Sequence, residues 1–148
     1  MSVSKLLLRF GLLYSGLLAV MVVAVGLFGL KKPTSFNAVL LMVSTMWVCA
    51  QFAQKNGAPL RGAARLQAIA GMFAIDMAAQ LLGAVSVAPP SPPGPMAFAL
   101  IAVGALHLLG IYVGTWAAAK QFAKQAEKAS AKAALSQPAR PIQTGAQR

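Results

Sequence analysis

Two ionisable side chains stand in the middle of otherwise apolar stretches, where charge is costly and its presence informative. Asp76 lies within Leu66–Val87 and His107 within Met96–Ala119. Asp76 comes eleven residues before Val87 and His107 eleven after Met96, so an antiparallel helical hairpin brings the two to the same depth. Gln80 and Gly83 follow Asp76 at helical spacing and share its face; Gly110 and Gly114 share the face of His107, with Val103. An acid beside an imidazole can bind and release a proton near neutral pH, the chemistry of a small proton-linked transporter or channel subunit. The plainer possibility is a polar clamp that fixes the packing of two helices, at about 1 kcal/mol or less per interhelical hydrogen bond. Either way, an ionised carboxylate at the centre of a span costs roughly 3 kcal/mol on insertion scales. Asp76 must then face protein or water, or stay protonated. If the two faces meet, His107 can donate to Asp76 and Gln80 can satisfy a remaining lone pair. A small chain with no second acidic site and no internal repeat favours the clamp.

No other residues assemble into a catalytic constellation. Ser44 and Thr45 have no nearby base, Cys49 is the only cysteine, and neither a phosphate-cradling glycine loop nor an HExxH spacing occurs. The expectation is a protein that is not an enzyme and uses no cofactor or metal. Gly110 and Gly114 form a GxxxG pair, which lets another backbone approach closely. Together with Gly83 they are candidates for helix packing or for a partner's face. Gly11, Gly16, Gly26, Gly29 and Gly71 read more simply as packing positions.

The elements that must position these residues follow from composition. With 58% hydrophobic residues and only two acids among 148, the chain is too apolar for a water-soluble domain. It reads as all-α, an integral membrane four-helix bundle, with spans at about 10–30, 36–52, 66–87 and 96–119. Basic residues before the first run and Ala24-Val25-Gly26 within it allow a secretory signal peptide as a rival. The run is longer than the usual ~7 to 15 residue signal core and meets Lys31 and Lys32 at once, which favours a span. Lys31-Lys32-Pro33 should stop the first helix and Thr34 or Ser35 cap the second. The second span is at the short limit and should sit upright or thin the bilayer. Gly57 should take the left-handed conformation and Pro59 open the third helix. The prolines of Ala88–Pro95 should exclude helix and make a tight turn.

The net charge of +11 would suit a nucleic-acid binder, but the basic residues all lie at the ends of apolar segments or in the tail. That is a pattern of membrane orientation, and no nucleic-acid partner is expected. Eleven of the thirteen fall on the side of the two termini and the 53–65 loop, against Lys31 and Lys32 on the other. The positive-inside rule then puts both termini in the cytoplasm, an N-in/C-in topology. Tyr14, Trp47, Tyr112 and Trp116 fall toward the same ends of their spans, as headgroup-level anchors should. Residues 120–148 form a basic cytoplasmic tail. Lys120, Lys124, Lys128 and Lys132 recur every four residues and should line a helix continuing the fourth span, with disorder beyond Ser136. The stripe suits a solvated topology anchor better than a specific lipid site, although each lysine near an anionic surface is worth about 1 kcal/mol.

The four spans, the basic Lys55–Arg65 loop, the acid on the third span and the alanine-lysine tail resemble small bacterial inner-membrane proteins of uncharacterised families. Some of these serve as immunity proteins against membrane-depolarising effectors delivered by contact-dependent secretion systems. The resemblance is one of architecture over Phe10–Ala119. It implies a multi-pass inner-membrane protein that binds a membrane-active partner, its cognate effector, within the bilayer and blocks pore assembly. The small-residue faces would carry that contact. The proton-linked transporter or channel subunit built on Asp76 and His107 is the alternative, and an accessory subunit of a host membrane complex a third.

Overall fold

A computed structural model of the chain describes residues 1–28, 34–87 and 93–136. Four helices account for nearly all of them: α1 (Val3–Phe28), α2 (Thr34–Asn56), α3 (Gly62–Val87) and α4 (Pro93–Ser136). All four are long and apolar enough to cross a membrane. The stop at Lys31-Lys32-Pro33, the side-chain caps at Thr34 and Ser35, the linker residues 88–92 and the disorder of 137–148 lie outside the described residues.

The helices extend beyond the spans read from hydropathy. α1 begins at Val3 rather than Phe10, because Ser2 caps it: the Ser2 carbonyl accepts from the Leu6 amide at 3.1 Å and Ser2 Oγ from the Lys5 amide at 3.4 Å. α2 continues through Gln54 and Lys55 to Asn56, four residues past the expected end of the second span at Phe52. Gly57 ends it with φ +66°. Pro59 does not open α3. Gly62, with φ +53°, turns the chain first and the helix starts there, while Leu60 is buried and ties the loop down. Nor do the linker prolines exclude helix throughout. α4 starts at Pro93, because prolines in a first turn lack only amide protons that would have no partner. From there α4 runs unbroken through the lysine stripe to Ser136.

α1 packs on α2 and α3, and α4 packs on α2 and α3, so the order round the bundle is α1, α2, α4, α3. Leu7 lies against Gly71 and Ile75 near Gly11, which makes α1 and α3 parallel. Asn37 and His107 belong to one cluster through Tyr14 and Asp76, and Thr45 meets Gly114 further along, so α2 and α4 are parallel as well. One end of the bundle carries the α1 start and the α2–α3 loop, here the terminal end; the other carries the remaining two connections, here the linker end. Buried side chains recur every four residues on α1, at Leu6, Phe10 and Tyr14, and the Phe10 and Tyr14 rings stack at 5.5 Å. Most large apolar side chains point outward, among them Leu12, Leu27, Phe98 and Ile101. An exterior of that kind suits hydrocarbon rather than water.

Candidate functional site

Asp76 is fully buried near the middle of α3, and side chains from the other three helices converge on it. His107 of α4 brings Nδ1 to 2.7 Å from Asp76 Oδ2. Tyr14 of α1 donates its hydroxyl to Asp76 Oδ1 at 2.6 Å. Asn37 of α2 lies 2.9 Å from the same hydroxyl. A phenol has a single proton, and the carboxylate is its stronger acceptor. The Asn37 amide therefore serves best by turning its NH2 group toward the Tyr14 oxygen.

Gln80 has a different role from the one expected. Its amide nitrogen lies 3.4 Å from His107 Nδ1, not against the carboxylate. With Nδ1 already committed to Asp76 at the shorter distance, Gln80 flanks the ring and contributes little bonding of its own. The second carboxylate oxygen is satisfied by Tyr14 instead.

Tyr14 is also the main correction to the reading of the aromatic residues. It is not a headgroup-level anchor: its exposure is 0%, whereas Trp47, Tyr112 and Trp116 each expose half or more of their surface. The displaced helix start explains the difference. Counting from Val3, Tyr14 lies about three turns inside α1, level with Asp76.

The cluster borders a cleft of about 490 Å³ between α1, α2 and α3. Tyr14 and Gln80 form its polar floor, Asn37 and Ala79 stand in its walls, and it extends past Gly83 to Val25 toward the linker end. Tyr14, which holds Asp76, thus also lines a space that runs toward one end of the bundle. His107 Nδ1 and the Tyr14 hydroxyl thus hold one carboxylate oxygen each. Among the described residues no group of three or more His, Cys, Asp or Glu side chains could hold a metal ion.

Compared with protein-family models, with curated proteins and with solved structures, the chain matches none. Its site is therefore read from its own geometry.

The three glycines of the proposed packing face separate. A Cβ on Gly114 would lie 3.1 Å from Thr45 Cβ and Cγ2, so this position is filled by α2 of the same chain. Gly110 and Gly83 would meet nothing within 4 Å. Among the described glycines Gly71 is the most tightly covered, with Leu7 Cδ1 at 2.5 Å from where a Cβ would stand. Cys49 is buried and unpaired, and Ser44 donates to the Leu40 carbonyl one turn back at 2.7 Å.

A second polar region lies at the terminal end. Arg65 does not share a surface position with Arg61: Arg61 is exposed, while Arg65 is half-buried with its guanidinium 4.8 Å over the Tyr112 ring. Its Nη2 reaches Thr115 Oγ1 only at 3.5 Å, and its enclosed Nε has no acceptor. Thr45 Oγ1, also fully buried, is likewise without a partner among the described residues.

Proposed function

We propose that the protein is a multi-pass inner-membrane protein with both termini in the cytoplasm, and that it acts as a small proton-linked transporter or channel subunit. The observation that carries this reading is the buried carboxylate at mid-bundle. Asp76 is bonded to His107 and Tyr14, and the side chains around it floor a cleft toward the linker end. By the positive-inside rule that end is periplasmic. A clamp needs only two helices and no adjoining space; this cluster draws on all four and adjoins one. Protons entering from the periplasm would reach the Asp76–His107 pair along this cleft, past Asn37, Tyr14 and Gln80.

The immunity reading keeps one specific support. Gly83 and Gly110 remain small, open positions where a foreign helix can approach, although Gly114 is already taken by Thr45. The two readings separate in cells expressing the protein, by following internal pH and membrane potential with and without a pore-forming effector. The proton-linked reading expects expression alone to shift internal pH, with the shift lost in Asp76→Asn. An unchanged pH, together with protection that survives Asp76→Asn and is lost in Gly110→Leu, would replace it with the binding reading.

A further inference from the structure

Among the described residues Arg65 is a half-buried charge with no acid to answer it. The chain has two acids: Asp76, engaged by Tyr14 and His107, and Glu127, about 18 Å further along α4 than Thr115. Among the described residues no carboxylate pairs with Arg65. A guanidinium has five donors, and here one makes a long bond and another is shut in without an acceptor. An arginine at the edge of a bilayer ordinarily extends its head to water; this one is folded inward over Tyr112.

Beside it runs a groove of about 610 Å³ between α3 and α4, lined almost entirely by carbon. Leu66 and Ile69 form one wall, Ala105, Leu108 and Leu109 the other, with the guanidinium at the terminal end. An apolar trough headed by an unmatched cation is complementary to a molecule with an acyl chain and an anionic head.

We infer that this groove binds one anionic phospholipid, its acyl chain along Leu66, Leu108 and Leu109 and its phosphate at Arg65. Net negative charge is needed because a zwitterionic headgroup brings its own cation and leaves Arg65 little to neutralise. The acyl chain is needed because free phosphate leaves the groove empty. Lys55, Arg61 and Lys120 at the same end raise the local concentration of anionic lipid, at about 1 kcal/mol for each basic residue near the surface. The site is separate from the Asp76 cluster and does not depend on the proton-linked reading.

The test uses the full chain in neutral detergent, followed by native mass spectrometry and thermal unfolding with phosphatidylglycerol, phosphatidylcholine or inorganic phosphate. One phosphatidylglycerol should remain per chain and raise the unfolding temperature, with little effect from phosphatidylcholine and none from phosphate. Arg65→Gln should weaken retention about tenfold or more. Ala105→Phe, which keeps the charge and fills the groove, should do the same, and decides the matter if Arg65→Gln does not fold. Replacing Lys120, Lys124, Lys128 and Lys132 together by Gln should leave retention within about twofold. The inference is overturned if phosphatidylcholine or phosphate acts equally, or if the tail variant abolishes binding while Arg65→Gln and Ala105→Phe retain it.

Discussion

Around Asp76, side chains from four helices meet, and both carboxylate oxygens accept a hydrogen bond at 2.6–2.7 Å. Around Arg65, two helices contribute a ring face and one long bond, and the enclosed Nε is left with no acceptor. Both regions are polar islands in an apolar protein, yet one is completed by the chain itself and the other is not. The difference lies in what the helices place at each level. Near mid-bundle, α1, α3 and α4 each present a polar group inward, and parallel packing of α1 on α3 sets Tyr14 level with Asp76. At the terminal end, Arg65 meets the Tyr112 ring and the Thr115 hydroxyl, neither of which can match a full positive charge. A closed island can hold an internal proton, whereas an open one calls for a ligand from outside.

The comparison breaks most directly at Asp76. Asp76→Leu leaves His107 Nδ1 enclosed without its acceptor and the Tyr14 hydroxyl with Asn37 alone, and should cost about 3–5 kcal/mol in denaturant unfolding from mixed micelles. A loss under about 1 kcal/mol would mean that the island is not closed. Asp76→Asn keeps the shape and one acceptor, so the folded state should survive it.

Next in size is the helix contact that sets the register. Gly71→Ala puts a methyl against Leu7 on the α1–α3 face and should cost about 1–3 kcal/mol by the same measurement. Gly110→Ala, where the added carbon meets open space, should change stability by less than about 0.5 kcal/mol. Equal effects at the two positions would remove the close α1–α3 approach from the account.

Tyr14→Phe should cost about 1 kcal/mol, the scale of one interhelical hydrogen bond. In combination with Asp76→Asn the two costs should not add, since both variants act on the same bond. The smallest effect belongs to the open island. Arg65→Gln in lipid-free detergent should change stability by less than about 1 kcal/mol, because the chain gives Arg65 only a ring face and a long contact to lose.

How much of this was legible in the sequence differs between the two islands. Asp76 and His107 stood out because each interrupts an apolar run, and their equal distance from the proline linker gave their common depth. Tyr14 did not, since a tyrosine near the start of a hydrophobic run reads equally well as an interfacial ring. Its depth became visible only with the cap at Ser2, which adds two turns before Phe10. Asn37 was one of several polar residues on α2, and no periodicity separates it from Gln51, which instead accepts from Arg9 at 3.2 Å. Arg65 counted in the sequence as one basic residue of the Lys55–Arg65 loop, and whether it points inward depends on where α3 begins. That start is fixed by the positive φ of Gly62 and not by Pro59. Gly114 was singled out as a small position, while its neighbour, Thr45 of α2, is set by the ring order of the helices, which hydropathy does not encode.

The central claim is that the Asp76–His107 pair carries an exchangeable proton, and the chain offers a direct probe of it because His107 is its only histidine. With 15N-labelled histidine and the protein in lipid bilayers, the ring-nitrogen resonances can be followed across pH. The account predicts a protonation step of the ring that is displaced to another pH in Asp76→Asn. An imidazole that keeps a single protonation state across the pH range followed, or titrates identically with and without the Asp76 carboxylate, would contradict it and leave the cluster as a structural tie between helices.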